Sequence, residues 1–538
     1  MYVFKKLSNM KNIKAVIVLG FIAGTALFES CVKDLDRVPF YEQTSATVYS
    51  DAANYRSLIA KVYAGLALSG QQGPAGKPDI SGIDEGFSTY LRQYYKAQEL
   101  TTDEAVIGWN DGSIKDYHNM KWTSANEFIA AMYYRIYYQI TLCNEFIRET
   151  TDTKLSERGL SGDANIKAYR AEARFMRALS YWHALDMFGS VPFVTDADPL
   201  GAFLPKQTTR VDLFAYIEKE LKEIETLLAE PRANEFGRAD KGAAWTLLAK
   251  LYLNAEVYTG TNRATDCVTY CNKVIVAGYA LEPKYENLFK IGNDASKEMI
   301  FAVRFDGLRT KTWGGMTFLV HAPVGGTMRA ADFGINGGWG GLRTTKELVG
   351  LFNNSSNAVD YNDTRAMFYT DGQSLEIDDI SEFKQGYAIT KYKNVDQAGK
   401  AGSDPEGNFP DTDFPMFRLA DVHLMYAEAV LRGGTGGTTA QALTYVNALR
   451  QRAYKTTRTA LTTITLDDIL NERGRELYWE MHRRTDLIRF KKFTSGSYLW
   501  QWKGGAKGGA GVAETFNLFP IPNADVVANP NLKQNTGY

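Results

Sequence analysis

Apolar residues recur at threes and fours through the middle of the chain. In residues 171–188, Phe175, Leu179, Trp182, Leu185 and Phe188 share one face of a helix, and Gly189 and Pro192 end the pattern. The same period predicts a helix over residues 211–229, through Phe214, Ile217, Leu221, Ile224 and Leu228. A third, over 241–258, carries Trp245, Leu248, Leu251 and Tyr252, and a fourth covers 265–277. A second helical block follows far downstream, over 417–431, 440–454 and 466–493, and is expected to pack on the first. Between the blocks, residues 292–415 change character. Glycine pairs appear at Gly314-Gly315, Gly325-Gly326, Gly337-Gly338 and Gly340-Gly341, with short apolar runs such as 299–303 between polar stretches. This segment reads as irregular structure with a few short strands, and residues 70–112 read likewise. Loops held on a rigid scaffold are where binding residues concentrate.

Successive amphipathic helices joined by short turns resemble tetratricopeptide-type hairpins. The expected fold is therefore mainly α, one domain over 31–538, with helical scaffold at 120–290 and 416–495 and loop-rich regions at 70–112 and 292–415. Composition agrees: across 538 residues, 45% hydrophobic and 23% charged is the balance of a soluble globular chain. A net charge of −1 without any basic block argues against nucleic acid as a partner. The amino terminus changes the picture. Lys5, Lys6, Lys11 and Lys14 precede an apolar run over 15–28, and Cys31 closes the segment. Residues 1–30 read as a secretory signal, too short and wrongly flanked for a spanning helix. Cys31 stands where bacterial lipoprotein signals are cut and acylated. The acidic stretch Val32-Lys33-Asp34-Leu35-Asp36 after it resembles that of surface-exposed lipoproteins. The expectation is a mature chain tethered to a membrane through lipid on Cys31.

Candidate chemistry is sparse. Cys143, Cys267 and Cys271 are the other cysteines, and the last two, four apart on a helix without a nearby histidine, read as buried thiols. His118, His183, His321, His423 and His482 are scattered, and His183 and His423 fall in helices as structural side chains. No zinc-type histidine motif, nucleophile elbow or phosphate loop occurs, so the chain is not expected to be an enzyme. Asn293-Asp294 and Asp378-Asp379 offer oxygen ligands for calcium, and solvated loops explain them equally well. Aromatic residues make up 13%, a surplus that suits either sugar recognition or a large helical core.

The run at 170–193, RAEARFMRALSYWHALDMFGSVPF, resembles the central motif of the SusD/RagB family. Phe236-Gly237-Arg238-Ala239-Asp240-Lys241, Phe417-Arg418-Leu419-Ala420-Asp421, Asn471-Glu472-Arg473-Gly474-Arg475-Glu476-Leu477 and the closing Phe519-Pro520-Ile521-Pro522 agree with it in order. The resemblance implies four tetratricopeptide-like units and a lid on a SusC-type TonB-dependent transporter of the outer membrane. Such proteins bind glycans at the cell surface and pass oligosaccharides on. Arg170, Arg174, Arg238, Arg473 and Arg475 are expected to form ion pairs between helices rather than to touch ligand.

Several loop segments are similar to the starch-binding founder of the family: Gly82-Ile83-Asp84-Glu85-Gly86, Glu99-Leu100-Thr101-Thr102-Asp103-Glu104, Trp313-Gly314-Gly315, Gly337-Gly338-Trp339, and residues 498–505. The similarity implies an aromatic arc of Trp109, Trp313 and Trp339, with Asp84 and Arg92 as polar contacts. Ile107 stands where the founder has another aromatic and Asp111-Gly112 where it has an amide contact, which shortens the arc or alters its hydrogen bonding. The chemistry is coherent. A pyranose has an apolar C–H face on which an indole stacks, and a hydroxyl edge to which a carboxylate accepts and a guanidinium donates. Three rings from distant loops can follow a helical α-glucan such as starch or its maltooligosaccharides, whereas a flat strip suits a straight chain. Dextran, another glycan, or a purely structural lid remain as alternatives.

Overall fold

The computed structural model describes residues 45–456 and 459–538. Cys31, the signal segment and the acidic stretch after it lie outside the described residues. Those described up to Asn54 contain one helical turn, Ser45–Val48, and Tyr55–Tyr538 form the main unit.

Helices dominate that unit: α1 (Tyr90–Glu99), α2 (Glu127–Glu149), α3 (Ala164–Phe188), α4 (Arg210–Ile224), α5 (Lys241–Leu253), α6 (Ala264–Ile275), α7 (Gly315–His321), α8 (Leu419–Leu431), α9 (Thr439–Ala453), α10 (Leu466–Leu477) and α11 (Arg483–Arg489). Their starts are written locally. The Asn126 side chain accepts the Phe128 and Ile129 N–H groups to open α2, and Asp163 does the same for Asn165 and Ile166 at α3. Thr465 and Asp468 form a reciprocal capping box at α10. At its other end α3 stops on Gly189, whose φ of 75° suits glycine and whose N–H donates to the carbonyls of Ala184 and Leu185.

Consecutive helices pack as hairpins, α2 on α3, α3 on α4, α5 on α6 and α8 on α9, as tetratricopeptide-like units do. Helix α6 also packs on α8, which joins the two helical blocks as the sequence predicts. Lys250 of α5 pairs with Asp421 of α8 across that seam, and Arg473 of α10 pairs with both Asp421 and Asp486. Of the other arginines expected to pair, Arg170 meets Asp152, Arg174 meets Glu220 and Arg238 meets Glu172, whereas Arg475 pairs with Glu472 of its own helix. Deeper still, Arg418 meets Glu298, Glu476 and Glu480, while Arg365 meets Asp363, Glu472 and Glu476. Burial works against the Glu476 carboxylate, but Arg452, Arg418 and Arg365 overcome it and hold its pKa far below the usual range.

Strands are few and short: β1 (Val106–Ile107), β2 (Met299–Val303), β3 (Leu342–Arg343) and β4 (Phe414–Arg418), with two further two-residue pairs. The apolar run at 299–303 is indeed a strand, paired antiparallel with β4. Cys143, Cys267 and Cys271 are buried free thiols, and His183 and His423 are buried. Among the described residues no helix is long and apolar enough to cross a membrane.

Five expectations need correction. The helix predicted over 211–229 ends at Ile224. The helix predicted over 241–258 breaks at Asn254 and resumes as Ala255–Thr259; the Asn254 amide donates to the Lys250 carbonyl at 2.9 Å and its oxygen accepts from Arg489. Phe417 and Arg418 belong to β4, so α8 starts two residues later than the pattern suggests. The helix predicted over 466–493 is two helices, because Trp479 and Met481 take φ values of 62° and 66°. Buried carboxylates hold that break: Glu104 accepts the Trp479 N–H at 2.9 Å, and Glu99 accepts that of Met481. Finally, 70–112 is not irregular throughout, since α1 lies inside it with all ten of its residues buried.

Candidate functional site

Helix α1 is the floor of the candidate site. It starts on Thr89, whose hydroxyl accepts the Arg92 N–H, and it packs against α2, α7 and α11. The seven-residue helix α7 lies across it and organises the loops above. Trp313 immediately precedes its N-terminal end, where the Gly314 N–H is held by the Thr312 hydroxyl at 3.1 Å. Its C-terminal end presents carbonyls that no further turn of helix consumes. The Trp339 loop takes them up. The Trp339 N–H donates to the His321 carbonyl at 2.9 Å, the Gly341 and Leu342 N–H groups to that of Ala322 at 2.8 and 2.9 Å, and the Gly340 N–H to that of Val324 at 2.8 Å. From Leu342 the chain enters β3, which pairs with β1 so that Ile107 faces Leu342 and Val106 faces Arg343. The Gly108 N–H extends this ladder to the Gly341 carbonyl at 2.9 Å and delivers Trp109 beside Trp339.

The three tryptophans, far apart in sequence, are thus neighbours in space. The Trp109 and Trp339 rings lie 6.2 Å apart with planes inclined by 47°, and Trp313 and Trp339 lie 6.3 Å apart inclined by 64°. Each is half-buried, with one side seated on protein. Trp109 rests on Gly341, where an added Cβ would sit 2.4 Å from the indole, and donates its Nε1–H to the Trp339 carbonyl at 3.3 Å. Its edge meets Phe318 of α7 at 6.1 Å. Trp313 packs on Phe409 at 5.1 Å. Trp339 stacks on the buried His321 ring at 4.9 Å and 24°. The two His321 nitrogens face the carbonyls of Gly337 at 2.7 Å and Asn408 at 2.9 Å, so the imidazole locks the base of the Trp339 loop. Burial keeps its pKa below the ordinary histidine range, against those carbonyls, which favour the protonated ring.

The polar residues divide in role. Asp84 is exposed, with its carboxylate and the Trp313 edge both bordering Gly86. Arg92 is only 7% exposed. One of its terminal nitrogens donates to the Gly86 carbonyl at 3.1 Å and to that of Trp313 at 3.0 Å, and its guanidinium lies 4.5 Å from the Phe318 ring centre and 5.8 Å from that of Trp109. It therefore ties the Asp84 loop to Trp313, and its Nε finds no partner among the described residues. Burial lowers its pKa to about 10, which leaves it charged at neutral pH. Ile107 is fully buried in β1, while Asn110 and Asp111 are exposed next to Trp109. The segment at 498–505 works from below: Trp500 is buried, and Trp502 packs under Val106, Ile377 and Ile380 with its Nε1–H on the Ile377 carbonyl at 3.0 Å.

Three of the residues considered for calcium have partners within the protein. The buried Asn293 amide donates to the carbonyls of Leu288 and Asp413, Asp378 pairs with Lys507, and Asp379 accepts the Ser381 N–H. Among the described residues no group of three or more acidic, histidine or cysteine side chains is placed to hold a metal ion. Sequence reasoning missed Phe318, His321 and Phe409, which seat the three indoles, and it missed α7 altogether. The glycine pairs around α7 were the available signal, because they mark where rings and main chain approach closely.

Comparison with known proteins identifies the family. A sequence model described as the SusD family matches residues 357–538, and one described as starch-binding associating with outer membrane matches 37–253. The starch-binding protein SusD of Bacteroides thetaiotaomicron is 36% identical, over 95% of this chain and 96% of its own. The chain belongs to the SusD family. A SusD-like protein of Bacteroides ovatus is 27% identical over 90% of this chain and 85% of its own. Among solved structures, a SusD superfamily protein from Bacteroides vulgatus superposes with a TM-score of 0.68 at 20% identity, covering 91% of this chain and all of that one. Surface glycan-binding protein A from Bacteroides thetaiotaomicron, in complex with laminarihexaose, gives 0.67 at 20% identity, covering 90% and 99%. These SusD-type neighbours establish the shared fold. Two of these proteins are named for binding, starch in one case and a surface glycan in the other, and none of the four for a reaction.

Proposed function

We propose that this SusD-family chain captures starch or a related α-glucan at the cell surface, on Trp109, Trp313 and Trp339, and performs no chemistry on it. The observation that carries this reading is the set of three half-buried indoles in contact, inclined to one another by 47° and 64°. A surface inclined in that way matches a bending glucan and mismatches a flat chain. The exposed Asp84 carboxylate accepts hydroxyl hydrogens at the Trp313 end, and Arg92 fixes the spacing between Asp84 and Trp313 while adding positive charge beneath Trp109. Stacking contributes about 0.5–1.5 kcal/mol per ring beyond burial, so each surface binds modestly and many copies along one polymer give avidity. The same proposal includes acylation at Cys31, attachment to the outer membrane, and delivery of oligosaccharides to a SusC-type TonB-dependent transporter. It draws on the signal-like amino terminus, the description of the matching family model, and the similarity to the Bacteroides thetaiotaomicron starch-binding protein.

Protein lacking the residues before Cys31 should be retarded in a native gel containing amylopectin. Trp109→Ala, Trp313→Ala and Trp339→Ala should each reduce the retardation. Retardation by dextran or laminarin in place of amylopectin would move the ligand to another glucan, and none with any of them would leave a structural subunit. Reducing-end assays on the same samples should detect no release of sugar.

A further inference from the structure

A loop that no part of the site reading uses runs along both tryptophan strands. Arg343 of β3 is fully buried and, among the described residues, has no carboxylate within ion-pair distance. Its guanidinium instead donates to four main-chain carbonyls, those of Gly341 at 3.1 Å, Ile380 at 2.6 Å, Glu382 at 3.1 Å and Gln385 at 2.9 Å. Three of the four belong to one short loop, which is thereby fastened to the strand between the Trp109 and Trp339 segments. The same loop presses on Gly108, where an added Cβ would lie 3.2 Å from the Ile380 carbonyl oxygen and 3.3 Å from that of Ser381. Lys115 reaches across to the Ser381 hydroxyl at 2.8 Å, and Trp502 supports the start of the loop from beneath.

The loop carries one aromatic side chain, Phe383, and that ring is half-buried. It lies over three glycines: an added Cβ at Gly325 would meet it at 2.8 Å, and at Gly326 and Gly340 at 3.7 and 3.8 Å. Gly340 is the residue after Trp339. Glu382 and Lys384, on either side of the ring, are both exposed. A rigidly held aromatic on a glycine bed, bordered by an acceptor and a donor, is the same construction as Trp109 on Gly341 beside Asp111. We propose that Phe383 forms a further sugar subsite, stacking on a residue of the polysaccharide beyond those held by the three tryptophans, and so gives the protein a preference for longer chains. This inference rests on the reading of the tryptophan surface as an α-glucan site.

The test is titration calorimetry with maltotriose and maltoheptaose on the wild type, Phe383→Ala and Phe383→Tyr. Phe383→Ala should weaken maltoheptaose about five- to tenfold and change maltotriose by less than about twofold, narrowing the chain-length preference. Phe383→Tyr, which keeps a ring, should behave as the wild type. Equal loss on both sugars in both variants would mean that the loop, and not its ring, matters, and would overturn the proposal. So would an unchanged maltoheptaose affinity in Phe383→Ala. A wild type that binds neither sugar would instead remove the α-glucan reading, and this subsite with it.

Discussion

Single residues set what the aromatic surface can do. Trp109 keeps its place because position 341 has no side chain: the indole occupies the volume in which a Cβ would stand. Gly341→Ala should therefore displace the ring and weaken amylopectin retardation as far as Trp109→Ala does, while the thermal midpoint moves by only a few degrees, because the half-buried indole can yield toward solvent. Full binding by Gly341→Ala would refute that account. A second residue-level effect concerns acidity. Burial and each other's proximity raise the pKa of Glu99, and burial raises that of Glu104 against the pull of Arg483. Glu99 Oε2 meets no donor among the described residues, as expected of a protonated carboxyl that faces Glu104. The unfolded chain gives up such a proton near pH ~4.3, whereas the folded protein holds it to higher pH. The contribution to stability is complete below the unfolded value and is lost as pH rises through the folded one. Glu99→Gln keeps a donor without titrating, so its thermal midpoint should fall less than that of the wild type between pH 5 and pH 8. Parallel curves for the two proteins would exclude the shared proton.

Among the elements, long amphipathic helices were legible and short or fully enclosed ones were not. Helix α3 announces itself because Phe175, Leu179, Trp182, Leu185 and Phe188 repeat at the helical period before Gly189. Helix α1 gives no such signal. Arg92, Gln93, Lys96, Gln98 and Glu99 are polar yet buried, so polarity does not mark an outer face. Only tertiary partners explain them: Arg92 reaches the Trp313 carbonyl, and the Lys96 amine sits 3.9 Å from the Phe128 ring centre. The interruption between α10 and α11 was equally invisible, because Trp479 and Met481 are not turn residues and their left-handed backbone is held by Glu104 and Glu99 from a segment almost four hundred positions away. In the candidate site the family resemblance pointed to the three indoles, Asp84 and Arg92. The residues that aim them, Phe318 and His321 of α7, lay in a seven-residue helix flanked by glycine that pattern alone reads as loop.

Across the whole molecule, charge is used in depth. Arg365, Arg418 and Arg452 share Glu298, Glu472, Glu476 and Glu480 in a buried lattice that joins β4, α9 and α10 to the β2 region. Removing one member leaves buried charge uncompensated, which costs about 3–5 kcal/mol. Arg418→Ala should thus lower the urea midpoint steeply, whereas Arg56→Ala, at the exposed pair with Glu235, should leave it unchanged. Equal midpoints for the two variants would contradict the assignment. The binding face is made of different material. Where the lattice interlocks side chain with side chain, Trp109 and Phe383 rest on main chain at Gly341, Gly325 and Gly340. Exchanging or losing such a ring touches its aromatic neighbours, Phe318 and Trp339 for Trp109, and leaves the buried ion pairs in place. Face and scaffold are thus separable: a change of ring alters what the surface stacks on, while the helices beneath keep their ion pairs.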